Sequence, residues 1–127
     1  VGFLLITMVT GLTISIVFQL AHTVEHVEFP MPSEITGKIE NEWAIHQIHT
    51  TANFATKSKT ISWLLGGLNF QIEHHLFPRI SHVHYPAISQ IIKKTCGEYG
   101  INYIEFPKMR QAIASHIHYL RRLGQLA

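Results

Sequence analysis

The sequence predicts an all-α membrane protein: one transmembrane helix at the N-terminus of the chain, followed by interfacial and cytoplasmic helices. Three observations carry that prediction. The first 21 of 127 residues contain no charged side chain. Overall the chain is 46% hydrophobic but only 14% charged, against roughly 25% for an average soluble domain. The ten histidines outnumber the eight carboxylates, so imidazole is the main polar chemistry on offer.

Residues 1–21, VGFLLITMVTGLTISIVFQLA, form the span. A helix of that length rises roughly 30 Å, the thickness of a bilayer's hydrocarbon core. A cleaved signal peptide would show a basic leader and a shorter apolar run. The chain begins inside the apolar stretch, so the expectation is a C-terminal piece of a longer protein, read as one region: 1–21 transmembrane, 22–85 histidine-rich and catalytic, 86–127 cytoplasmic helices.

After the span, Gln19, His22, Glu25 and His26 arrive where the helix leaves the apolar layer, and Pro30 and Pro32 end it. His22 and His26, four apart, are expected to share a helix face. Polar and ionisable groups at that depth are costly and mark functional sites. Residues 39 to 54 read as a second helix with Glu42, His46, His49 and Asn53 on one face. Residues 61 to 72 are apolar for too few positions to cross a bilayer and read as buried or interfacial. Gly66 and Gly67 allow a bend before the adjacent histidines His74 and His75.

Beyond Pro78 the chemistry changes, since seven of the ten Lys and Arg residues lie from Arg79 onward. Pro86 and Gly97 bracket one predicted helix, residues 101–106 read as extended, and a last helix opens at Pro107. With all Lys and Arg on one side of the span, the positive-inside rule favours a cytoplasmic C-terminal half. A net charge of +2 argues against a nucleic-acid partner, and the single cysteine, Cys96, excludes a disulfide framework.

On a helix, His74 and His75 point about 100° apart, with Gln71 one turn back between the two directions. Such a pair suits two adjacent metals, or it hydrogen-bonds at the membrane edge. His22-x-x-Glu25-His26 also matches a zinc-peptidase pattern. A ferritin-like di-iron site is unsupported, because its Glu-x-x-His helices are missing. His46 and His49 are candidates for a supporting shell, and His116 and His118 read as surface residues.

The string Gln71-Ile-Glu-His74-His75-Leu-Phe-Pro78 resembles the third histidine box of the integral-membrane fatty acid desaturases. It is most similar to the front-end subgroup, in which Gln replaces the first His of the box. FQLAHTVEHVEFP, WAIHQIHTTANF, WLLGGLNFQIEHHLFP and CGEYGINY resemble that family in the same order, from about residue 18 to residue 103. The resemblance implies a membrane enzyme with two non-haem iron ions that uses O2 and two electrons to leave a cis double bond in an acyl chain.

By position, the resemblance makes His74 and His75 iron ligands and puts Gln71 in the place of the box's first histidine. It makes His22 the additional ligand at the end of the span, with His26 the lesser candidate; His46 and Glu73 are expected, apart from the resemblance, in a supporting shell. It further implies an acyl-CoA or acyl-lipid substrate, a haem or ferredoxin-type electron donor, the lipid bilayer, and the remaining N-terminal part of the desaturase, because the family's first two histidine boxes are not in this sequence. Other readings are a non-catalytic histidine-rich metal-binding module and the zinc peptidase. Metal affinity that depends on neutral imidazoles should fail as pH drops through about 6.5.

Overall fold

In the computed structural model, which describes residues 1–39 and 42–126, the uncharged N-terminal segment is a single helix, α1 (Gly2–His22). It is long and apolar enough to cross a membrane, and only 11% of its most apolar window is buried by the rest of the chain. Thr7 and Thr13 return their hydroxyls to the carbonyls of Phe3 and Val9, each at 2.8 Å. These two hydroxyls are thereby satisfied within the helix itself.

The helix stops at His22, eight residues before the predicted proline stop at Pro30. Val24 and Val27 turn inward to a core with Ala52 and Ile104. The amide of Glu25 finds the Ser115 hydroxyl at 2.9 Å instead of a carbonyl one turn back. The gain from burying two valines outweighs continuing the helix.

The second predicted helix is shorter than its pattern: α2 spans Trp43–His49. Positions 40 and 41 of that prediction lie outside the described residues. Beyond Thr50 the backbone is claimed by distant partners, Ala52 N bonding Ala21 O at 2.8 Å and Asn53 N bonding Ile104 O at 3.0 Å. Asn53 therefore stands in a strand rather than on the helix face with His46 and His49. That strand, β1 (Asn53–Phe54), pairs in parallel with β2 (Glu105–Phe106), the segment predicted to be extended.

Between the strands come α3 (Lys59–Leu64), α4 (Gln71–Leu76), a 3-10 turn (His82–His84) and α5 (Tyr85–Tyr99). Ser58 caps α3 by accepting from Ile61 N at 3.3 Å. Gly66 and Gly67 take positive φ of 55° and 77° and make the predicted bend. A side chain at Gly67 would place its Cβ 2.6 Å from that of His82, so the close approach requires glycine. α5 passes through Gly97 and ends at Gly100, which is left-handed at φ 67°.

The last helix is α6 (Met109–Leu126). Its Ala112 joins Val17, Leu20, Ala21, Phe54 and Ala55 in the core that ties the end of α1 to β1. A separate core of Ile48, Ile72, Ile92 and Cys96 joins α2, α4 and α5. The short parallel ladder thus lies between α1 and the core that joins α2, α4 and α5.

Candidate metal centre

Three imidazoles from two elements approach one another at the end of α1. His22 is the last residue of that helix, and its ring centroid lies 5.2 Å from that of His75 on α4. His74 and His75 diverge as adjacent helical residues must: their centroids are 5.9 Å apart and the rings are nearly perpendicular, at 86°. All three side chains are half-buried.

Two of the rings are held through Nδ1–H. His75 Nδ1–H donates to Gln47 Oε1 at 2.7 Å, and His22 Nδ1–H donates to the Thr50 carbonyl at 3.1 Å. His74 Nδ1 lies 3.4 Å from the Tyr85 hydroxyl. A proton committed to Nδ1 leaves the lone pair on Nε2, the arrangement that metal-binding histidines use. Gln47 and Thr50 sit on and just after α2, so α2 sets the tautomers of rings supplied by α1 and α4.

Burial, and then the neighbouring rings of His22 and His74, lower the pKa of His75 from 6.5 to about 4. The expected loss of neutral imidazole near pH 6.5 therefore does not apply to this ring. His75 remains an unprotonated donor well into the acidic range.

His26 does not join the group. It lies beyond the end of α1 in a left-handed conformation, φ 72°, exposed and lining a shallow depression with Asn102 and residues 104–106. Four-residue spacing brings two side chains together only on a continuous helix, and the chain leaves the helix between His22 and His26. The same break dissolves the zinc-peptidase pattern, and Glu25 faces His118 at 3.9 Å instead.

Gln71 opens α4 and is 2% exposed. His46, on α2, keeps a buried Nδ1 without a hydrogen-bond partner among the described residues. Glu73 is fully buried. Its two carboxylate oxygens accept from Asn53 Nδ2 at 2.7 Å and from the Tyr103 hydroxyl at 2.8 Å.

Asn53 also donates to the Tyr103 oxygen at 2.7 Å, and its own carbonyl accepts from the Ile72 amide at 2.9 Å. This closed network fastens α4 to β1 and to the segment before β2. Burial raises the pKa of Glu73 more than the hydrogen bonds from Tyr103 and Asn53 lower it.

Sequence patterns give no role to Gln47, Tyr85 and Tyr103, and they set Asn53 on a helix face rather than in this network. Gln47 and Asn53 lie within WAIHQIHTTANF and Tyr103 closes CGEYGINY, so the signal was present as similar stretches with no role attached. His116, expected at the surface, is half-buried, and its Nδ1–H donates to the Thr23 carbonyl at 2.6 Å, tying α6 to the end of α1.

The family model for fatty acid desaturases matches residues 1–107. This chain belongs to the fatty acid desaturase family. Among curated relatives, the sn-1 linoleoyl-lipid 6-desaturase of Synechocystis is 47% identical over 118 residues, 93% of this chain and 33% of that protein. The acyl-lipid (8-3)-desaturase of Physcomitrium patens is 43% identical over 92% of this chain and 24% of its own length. That of Mortierella alpina is 44% identical over 92% and 26%. The chain therefore spans a quarter to a third of the length of these relatives. No solved structure matches it.

Within a desaturase, His22 and His75 meet the donor requirement of an iron site, oriented through Nδ1–H and open at Nε2, and His74 stands beside them. They do not complete one. Among the described residues no group of three or more His, Cys, Asp or Glu side chains is close enough together to hold a metal ion. The donors present fit part of a centre.

Proposed function

We propose that this chain is the C-terminal third of a front-end acyl desaturase and supplies His22, His74 and His75 to a cytoplasmic-face di-iron centre. The observation that carries the proposal is the convergence of three imidazoles at the end of α1, two of them anchored through Nδ1–H. Iron in such a centre, supplied with O2 and two electrons, would remove two hydrogens from an acyl chain and leave a cis double bond. The electrons would come from a haem or ferredoxin-type donor, and the remaining ligands from the N-terminal part of the desaturase. The relatives are named for acyl-lipid and linoleoyl-lipid desaturation, which favours a lipid-bound acyl chain over acyl-CoA.

The chain's own residues have distinct tasks in this reading. Gln47 and the Thr50 carbonyl hold the Nδ1 protons, so that His75 and His22 present Nε2 in one orientation. The Asn53–Glu73–Tyr103 network holds α4 in place beneath the histidine pair. Gln71, buried at the start of that helix, offers a carbonyl oxygen or orients a water where the family's box elsewhere has an imidazole.

The test is a replacement. The corresponding segment of the Synechocystis 6-desaturase is exchanged for this chain and expressed in a host that lacks the product. Fatty-acid profiles should show the new unsaturated lipid, and His74→Ala or His75→Ala should each abolish it at equal protein abundance. Retention of most product by His74→Ala would remove the ligand assignment. Gln71→Leu should lose the product as well, and wild-type levels from it would reduce Gln71 to packing.

A further inference from the structure

α6 carries an apolar stripe that nothing among the described residues covers. Ile113, Ile117 and Leu120 are 43%, 42% and 45% exposed, and at about 100° per residue they fall within roughly 60° of arc. Leu123, 44% exposed, widens the stripe on one side. Arg110 and Arg121 border it on the other, both exposed. No Asp or Glu occurs in the helix.

The position of the stripe relative to the membrane helix suggests what covers it. Ala112 packs into the core beside Val17, Leu20 and Ala21, and His116 is bonded to the Thr23 carbonyl. α6 therefore crosses α1 at the end where the span leaves the hydrocarbon. Ile113 shares an apolar cavity of about 410 Å3 with Leu12 and Ile16 of α1, so the stripe continues the lipid-facing surface of the span.

We propose that α6 is a membrane-surface anchor. It lies in the interface with Ile113, Ile117 and Leu120 in the acyl layer and with Arg110 and Arg121 at the level of anionic lipid headgroups. An amphipathic helix with one apolar face, arginines along its border and no acid has the composition that binds an anionic bilayer surface. Arginine stems can lie along the apolar stripe while the guanidinium groups reach phosphate. The anchor would fix the tilt of the lower body of the protein against the span, and so the height of the histidine cluster above the lipid. The inference rests on the reading of α1 as a membrane span.

Nitroxide labels read it directly in the full-length desaturase, reconstituted in a cysteine-free background into phosphatidylcholine vesicles with or without phosphatidylglycerol. Ile117→Cys and Leu120→Cys should give several-fold greater collision with O2 than with a water-soluble nickel chelate. Gln111→Cys and His118→Cys, on the other side of the helix, should show the reverse. Phosphatidylglycerol should deepen the labels at 117 and 120, and Arg110→Gln with Arg121→Gln should remove that dependence.

Labels at 117 and 120 shielded from both agents would mean that protein, not lipid, covers the stripe. Labels open to the chelate would mean that the helix stands in water. Depths indifferent to phosphatidylglycerol would refute the headgroup contact. Either of the first two results overturns the proposal, provided that Ile6→Cys on α1 reports lipid; if it does not, the membrane reading fails first and takes the anchor with it.

Discussion

Replacing Tyr103 by Phe removes one oxygen and two hydrogen bonds: the one that Asn53 Nδ2 donates to it at 2.7 Å, and the one that it donates to Glu73 at 2.8 Å. A net hydrogen bond contributes about 1 kcal/mol, and a buried acceptor stripped of its donor costs about 1–3 kcal/mol. Glu73 keeps its second donor, Asn53, at 2.7 Å, so the loss belongs in the middle of that range. We expect Tyr103→Phe to destabilise the fold by about 2–3 kcal/mol. In a Glu73→Gln background the same change should cost about 1 kcal/mol, a coupling of the size that contacting residues show.

The network also has a pH signature. Burial holds the folded Glu73 pKa above its ordinary 4.5, so the folded state keeps this proton where the unfolded chain has lost it. Its contribution is fully present below pH 4.5 and is lost as pH rises through the folded value. Glu73→Gln should flatten that limb. Unfolding by denaturant in detergent micelles, followed by circular dichroism across the pH range, measures both effects. A Tyr103→Phe cost that is additive with Glu73→Gln to within about 0.5 kcal/mol would show that the three side chains are neighbours without being a unit.

Four further outcomes follow from the geometry. In the active desaturase, His22→Ala should abolish unsaturated product while His26→Ala retains most of it; equal losses would contradict the separation of the two rings at the end of α1. Gln47→Leu strips His75 of its Nδ1 partner and should lower activity or iron affinity by about 10–100-fold, measured against Gln47→Glu, which still offers an acceptor. Without metal, His75 should titrate at about 4 by proton NMR, its contribution to stability complete above 6.5 and lost as pH falls through about 4; a midpoint near 6.5 would mean that the ring is solvated. Gly67→Ala meets both a positive φ and the His82 Cβ and should cost more than about 1 kcal/mol. Gly66→Ala has open space and should lower the melting temperature less.

What the sequence determined by itself is what neighbouring residues decide. A run of 21 uncharged residues has one low-energy form in lipid, a helix that satisfies its own backbone. The bend at Gly66 and Gly67, the helices opening near Pro86 and Pro107, and the divergence of His74 from His75 are likewise set within a few residues. The histidine pair and its Gln71 were legible for the same reason.

Tertiary structure decided everything that depends on which distant group claims a backbone or side-chain atom. His22 and His26 have equivalent spacing in sequence, and only the turn of Val24 and Val27 into the core separates them. α2 stops because the backbone after Thr50 pairs with Ala21 and with Ile104, and that stop is what sets Asn53 beneath Ile72 and Glu73. Gln47 becomes the partner of His75 across 28 residues of chain, and Tyr103 that of Glu73 across 30. No local periodicity encodes such pairings, because their free energy comes from burying polar groups together, and that burial exists only once the helices have packed.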